Sequence, residues 1–292
     1  MRGKETAEIW KVQQDCTLME LLQCKAAGAS KSRIKEWLSQ GRIYVSGKKV
    51  TDPRVPLQTG MEVRLTKADP NPASDCAIPI LYEDEQLLLI NKPHGLLTNS
   101  PNPQEMTAQR LLNEYLEKRR QRCHAHTIHR LDRETSGLLL FAKEKKIALM
   151  FEDHWKERVY DRRYVAVIHG TLPQAEGEIS SWLKENRQFV SYSTPYDNGG
   201  KFAMTRYRLI QAGPHFSLVE LRLETGRKNQ IRVHLQDLGA PVAGDPKYGD
   251  GSNPIGRLCL HAYRLYFFHP LTGKALHFET AIPAPFYTAL EK

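Results

Sequence analysis

No stretch of the 292 residues approaches the roughly 18 consecutive apolar positions that a membrane-spanning helix needs. The polar N-terminal residues also lack the apolar core of a signal peptide, so a cytoplasmic location is expected. Cysteine is sparse, and Cys16, Cys24, Cys76, Cys123 and Cys259 are scattered without paired spacing. That is neither a disulfide framework nor a Cys-x-x-Cys zinc site, and it fits buried or incidental thiols in a reducing compartment. The zinc-deaminase pattern of His-x-Glu with Pro-Cys-x-x-Cys does not occur. Cys123-His124-Ala125-His126 with His129 offers good ligand types at no standard ligand spacing, so no metal and no organic cofactor are expected. No internal repeat or low-complexity tract stands out.

What is present is an ordinary globular composition, 40% hydrophobic and 26% charged, in a chain long enough for two domains. The net charge of +9 permits a polyanionic partner, and its distribution is uneven. Residues 1–66 hold 12 Lys and Arg against 7 Asp and Glu, a surplus of +5, so attraction to phosphates would begin in the first quarter of the chain.

That first quarter divides into an extension at 1–16 and a small α+β unit at 17–66. Leu18, Leu21 and Leu22 predict a first short helix. Ser32 would cap a second, with Ile34, Trp37 and Leu38 on one face and Lys31, Arg33 and Lys35 around the other. Gly41 would end it, before a strand at Ile43-Tyr44-Val45 and a tight turn at Ser46-Gly47. Prolines and polar residues at 67–77 read as a linker, leaving 78–292 as the larger domain. There Leu87–Ile90 is strand-like, and Thr107 to about Arg120 and Lys145–Glu157 are helix-like. Tyr164 opens a strand after Arg162-Arg163, and later strands read at Met204–Ile210, Phe216–Leu223 and near Leu258–Phe268. Strands with a few interspersed helices fit an α+β class better than regular βαβ repetition.

The most informative segment is His129-Arg130-Leu131-Asp132-Arg133-Glu134-Thr135-Ser136-Gly137 followed by the apolar run Leu138–Ala142. A carboxylate between two arginines leads through turn-forming residues into a buried strand, which places a charged loop at the mouth of a sheet. A surface turn with a solvated charge cluster is the bland alternative. The tie to a core strand argues against it.

This segment resembles motif II of the RluA-type pseudouridine synthases, which isomerise uridine to pseudouridine in RNA. Asn91-Lys92-Pro93-His94-Gly95-Leu96 resembles motif I and Gly226-Arg227-Lys228-Asn229-Gln230-Ile231-Arg232-Val233-His234 motif III of the same family. Ser-Arg on a helix followed by Gly-x-Ile-x-Val-x-Gly-Lys resembles the S-four RNA-binding module, with Ser46 where that module usually has Asn. The resemblance implies the pseudouridine synthase fold: a mixed, mostly antiparallel sheet with a central RNA-binding cleft, preceded by a small α+β S-four-like domain. It implies Asp132 as catalytic carboxylate, Arg232 as its ionic partner and Tyr164 as the aromatic that stacks on the target base. Arg130 would fill the stack vacated by the extruded base, and Arg133 would bind phosphate. Arg227 and Gln230 would belong to the RNA site, and Leu260 would wall the base pocket. Lys31, Arg33, Lys35, Arg42, Lys48 and Lys49 become candidate phosphate contacts of the first unit.

Chemistry alone explains part of that set. Breaking a carbon–nitrogen glycosidic bond, turning the base and rejoining it through carbon 5 needs one carboxylate and no redox step. A carboxylate drawn from water needs a cation, and one at about 4 Å with an effective dielectric near 20 is worth roughly 4 kcal/mol. The alternation of Ile231 and Val233 with Arg232 and His234 would put Arg232 on the polar face of a strand. Lys228-Asn229 replaces the usual Thr-His of the motif, and Gly244-Asp245-Pro246-Lys247-Tyr248-Gly249 reads as structural. The expected partner is RNA, with large-subunit ribosomal RNA favoured over transfer RNA and no membrane or obligate protein partner. A non-catalytic RNA-binding or ribosome-assembly factor on the same fold is the alternative from another class.

Overall fold

A computed structural model of the chain describes residues 8–26, 30–31, 34, 37–38, 43–50, 52–65 and 76–292, with the backbone alone at Lys48 and Lys49. Arg33, Lys35, Arg42, the Ser32 cap, Gly41 and most of the expected linker lie outside the described residues. The chain divides into two compact units, Met1–Pro72 and Ala73–Lys292. Among the described residues no helix is long and apolar enough to cross a membrane.

In the first unit Thr17 caps the Leu18–Lys25 helix through a reciprocal pair of hydrogen bonds with Glu20. Leu18, Leu21 and Leu22 bury its inner face against Ile34, Trp37, Leu38 and the strands Ile43–Val45 and Glu62–Leu65. Glu8–Lys11, read from the sequence as part of an extension, pairs antiparallel with Glu62–Leu65 and so belongs to the same small sheet. At the hairpin tip both Ser46 (φ 46°) and Gly47 (φ 79°) are left-handed, the requirement of a two-residue hairpin turn. That geometry explains why Asn suits the position of Ser46, since Asn tolerates this conformation best among residues with a Cβ. Lys31 is exposed.

The second unit is built on an 11-stranded sheet. Its main path runs Ser191–Thr194, Glu176–Glu185, Lys201–Ala212, Phe216–Leu223, Val159–His169, Leu260–Phe268, Ser136–Ala142, Leu87–Lys92 and Ile80–Glu83. Neighbours are antiparallel except at the centre, where Ser136–Ala142 runs parallel to Leu260–Phe268 with Gly137 opposite Ala262. All seven residues of Ser136–Ala142 are buried, which accounts for the apolar run in the sequence. Gly137 is a strand residue rather than a turn residue. Its φ is +117°, and a Cβ there would meet the Ala262 carbonyl oxygen at 2.2 Å, so only glycine allows the two strands to approach.

Two further elements differ from their sequence readings. The helix expected over 145–157 breaks at His154 into Lys145–Asp153 and Trp155–Arg158. Tyr164 does not open a strand; it lies inside Val159–His169, whose charged first half is tolerated because Arg163 pairs with Asp161 and Glu220.

Candidate active site

The parallel pair at the sheet centre is what assembles the site. Parallel neighbours begin at the same end, so the loop entering Ser136–Ala142 and the first residue of Leu260–Phe268 arrive side by side. Tyr164 sits opposite Ala262 on the other flank of that strand. A small cleft of about 60 Å³ opens there, lined by Asp132, Tyr164, Leu260, Arg232 and the aliphatic Leu131, Leu223 and Ile231, with Arg130 and Arg227 also on its wall.

The loop that carries Asp132 is clamped on both sides. The Thr98 hydroxyl accepts from the Leu131 N–H at 3.1 Å and donates to the Leu131 carbonyl at 2.9 Å. On the other side the fully buried Lys92 donates to the carbonyls of Pro93, Leu96 and Arg133 at 2.9, 2.7 and 3.0 Å. Burial pushes the Lys92 ammonium down to about 8, with Glu134 and Asp132 opposing the shift. The Thr135 N–H closes the turn onto the Asp132 carbonyl at 3.1 Å. Asp132 itself keeps a quarter of its side chain open to the cleft.

Arg232 arrives on a helix, Gln230–Asp237, and not on the strand that the alternation suggested. The sequence could not separate the two, because Gln230 through Leu235 are all buried and no polar face marks the helical period. Asn229 starts the helix in the left-handed conformation at φ 55°. Arg232 donates to the Asp132 carboxylate at 3.4 Å, but its tighter contacts are with Asp245, to which Nε and Nη2 both donate at 2.6 Å. Nη1 also donates to the Asn229 amide oxygen at 3.1 Å, and the guanidinium packs on the Tyr248 ring at 4.9 Å. Burial would lower the pKa of Arg232; the Asp245 hydrogen bonds and charge outweigh it and hold the pKa above its ordinary value. Asp245 shows the mirror image, its carboxyl held down by Arg232 and by the N–H groups of Tyr248 and Lys247 against the upward effect of burial.

Asp245, read from the sequence as part of a structural loop, is also a partner of Arg232. Its side chain is fully buried and shares that arginine with Asp132. The one available signal is that a buried aspartate needs a cation in space, and its neighbour Lys247 is exposed and bonded elsewhere. Asn229, half of the pair that departs from the usual motif, joins the same network, since its amide also donates to the Tyr248 hydroxyl at 3.1 Å.

Tyr164 is buried, with its ring against the cleft. Burial raises its pKa, Arg162 pulls it back, and the Asp132 charge raises it further. Gln230 is saturated by protein: its oxygen accepts from Thr225 and from the Arg227 N–H, and its nitrogen donates to Met204 and Thr205. It braces the start of the helix and has no amide group left for a base. Arg227 is exposed and donates to the Phe202 carbonyl at 2.9 Å. Arg133 is exposed and paired with Glu105 at 3.0 Å, whereas Arg130 is exposed at the cleft with no ion pair among the described residues. The Nε2 of His129 accepts from the Leu140 N–H at 3.1 Å.

A chain with this site also matches, over residues 86–237, the sequence model of the family described as RNA pseudouridylate synthase, and over 18–63 that of the S4 domain. It belongs to the RNA pseudouridylate synthase family. An RNA pseudouridine synthase of Bacillus subtilis described as uncharacterized is 34% identical over 269 residues, 89% of this chain and 87% of its own length. Ribosomal large subunit pseudouridine synthase D of Neisseria meningitidis serogroup A is 34% identical over 281 residues, 89% of this chain and 74% of its own. Among solved structures, human RNA pseudouridylate synthase domain containing 1 superposes with a TM-score of 0.60 at 26% identity, covering 72% of this chain and 86% of its own. The synthase is thus an isomerase that acts on uridine in RNA, with an S4 RNA-binding unit preceding its catalytic fold.

Proposed function

We propose that Asp132 is the catalytic carboxylate of this synthase, with Arg232 as its ionic partner and Tyr164 as the aromatic wall of the uridine pocket. The observation that supports this most directly is the meeting of all three in one cleft, with Arg232 3.4 Å from Asp132 and Tyr164 and Leu260 among the walls. Asp132 is the only acid lining that cleft among the described residues, and isomerisation needs only one. The aromatic and aliphatic walls suit a pyrimidine ring, and the network behind Arg232 holds the guanidinium in place before substrate arrives, so no reorganisation is needed at the moment of reaction.

Arg130, exposed at the cleft with no ion pair among the described residues, would take the place of the extruded base, which costs a few kcal/mol to unstack. Arg133 and Arg227 would contact phosphate. The S4 unit would dock RNA through Lys31, Arg33, Lys35, Arg42, Lys48 and Lys49. The target we favour is ribosomal RNA of the large subunit in the cytoplasm, because several relatives carry that activity in their names. The test is incubation with uridine-labelled cellular RNA. Wild type is expected to form pseudouridine and Asp132→Asn to form none; equal yields would remove Asp132 from the chemistry. Mapping pseudouridine in RNA from a deletion strain assigns the site, and a missing modification in transfer RNA instead would overturn the ribosomal target.

A further inference from the structure

The loop between Glu176–Glu185 and Ser191–Thr194 holds a bulky residue in a conformation that bulky residues avoid. Phe189 has φ 59°, in the left-handed region, and its side chain is 71% exposed. Among the described residues Phe189 joins no hydrophobic core cluster in return for that strain.

The tip is nevertheless firmly held. The Asn186 side-chain oxygen accepts from the N–H groups of Gln188 and Val190 at 2.9 and 3.0 Å. The Phe189 N–H donates to the Asn186 carbonyl at 3.0 Å, and the Asn186 N–H to the Val190 carbonyl at 2.9 Å. A distant segment fixes it too, since Lys247 donates to the Phe189 carbonyl at 2.9 Å. Lys228 lies 5.9 Å from the centre of the Phe189 ring and is paired with Glu185 at 2.6 Å. With exposed Arg187 the tip carries three cations against that one acid.

These are the segments that build the active site. Lys228 adjoins Asn229, and Lys247 lies two residues after Asp245. The Ser191 N–H just beyond the tip donates to the hydroxyl of Tyr248, the ring on which Arg232 packs. The tip is therefore coupled to the cleft by short, rigid links. Lys228 also stands at one of the two positions where this chain departs from the usual motif, and no task within the cleft accounts for it.

We infer that Phe189 is a stacking platform for an unpaired base of the substrate RNA outside the uridine pocket, with Arg187, Lys228 and Lys247 supplying charge for the adjoining phosphates. The inference rests on RNA being the substrate. An exposed aromatic face on a hydrogen-bonded loop accepts any base, and surrounding cations follow the backbone without reading sequence. A strained backbone that presents a side chain to solvent is what such a platform requires and what folding alone does not.

The test separates binding from folding. Full-length protein is titrated with a single-stranded oligouridylate dodecamer carrying one central 2-aminopurine, whose fluorescence is quenched by stacking. Asn accepts the left-handed conformation, so Phe189→Asn is expected to keep or raise the melting temperature while weakening binding roughly 5- to 150-fold, the range for loss of one stacked base. The protein-induced quench should also vanish, and Phe189→Trp should restore both. Lys228→Gln should reduce the slope of log affinity against log salt by about 0.7, the value for one phosphate contact on a single strand. Unchanged affinity and quench in Phe189→Asn would overturn the platform, as would a fall in its melting temperature. Pseudouridine formation by the wild type in ribosomal RNA is measured on the same preparations, so a failed platform is distinguishable from a failed choice of substrate.

Discussion

Arg232 serves two carboxylates, and its geometry is unequal. Asp245 takes a parallel two-bond contact at 2.6 Å, while Asp132 receives one long bond at 3.4 Å. The guanidinium fork is thereby fixed by the buried acid, and the remaining edge is offered to the acid in the cleft. Asp132 thus has a nearby cation without being locked to it, an arrangement in which a carboxylate can still reach a substrate atom. Asp245→Asn should be costly for two reasons. It leaves a buried guanidinium short of its charge partner, worth about 3–5 kcal/mol of stability, and it frees the fork to rotate. Urea unfolding of the catalytic unit checks the first; a loss below about 1 kcal/mol would mean that Asp245 does not anchor the arginine. The sequence offered little warning, because Asp245 sits in a Gly-Asp-Pro loop of ordinary turn composition and its partner is 13 residues away on a helix.

At the scale of elements, the decisive feature is the parallel contact between Ser136–Ala142 and Leu260–Phe268 in an otherwise antiparallel path. It sets the Asp132 loop beside Leu260, and the neighbouring antiparallel strand adds Tyr164. Gly137 is the residue that permits it. Gly137→Ala combines a forbidden φ with a methyl group inside the Ala262 carbonyl, so the strands must part. We expect a loss of roughly 3–5 kcal/mol and no pseudouridine formation, read by thermal unfolding and by the RNA assay. A variant with wild-type melting temperature would show that the two strands do not need glycine to approach. From sequence, the Thr-Ser-Gly reads as a turn, since glycine after two hydroxyl residues ordinarily is one; the close approach that demands glycine comes from a strand more than 120 residues later.

The whole catalytic unit carries three histidines that the fold keeps neutral. His234, which contacts the hydroxyls of Ser181 and Thr205, is lowered to about 4 by burial. His261, between Ser136 and Thr280, is lowered to about 4 by burial and by Arg257. His129 is lowered to about 3 by burial and by Arg162. In the unfolded chain each takes up a proton near pH 6.5, whereas the folded state refuses it until far lower pH. Unfolding therefore binds protons in that window, and stability is full above about pH 6.5 and falls as the pH drops toward 4. At about 1.4 kcal/mol per pH unit for each group, the three together should remove roughly 3–4 kcal/mol between pH 7.5 and 5.5. Denaturant unfolding at the two pH values measures it, and equal stabilities would mean that these histidines are not held neutral.

Local patterns along the chain were enough to point to the reaction, through their resemblance to a known family. Asp132 in its charged loop, the buried run behind it and the three motifs in family order are local patterns, and local patterns survive in a linear string. The sequence also determined the first helix of the S4 unit, whose apolar period and capping pair lie within a few residues of each other. Only the tertiary structure decided how Asp132 is controlled. Asp245 and Asp132 meet one arginine across three separate segments, a fully buried helix hides its period, and a glycine is explained by a carbonyl from a distant strand. The reason is physical: electrostatic pairing and steric approach depend on distance in space, whereas a sequence records only distance along the chain.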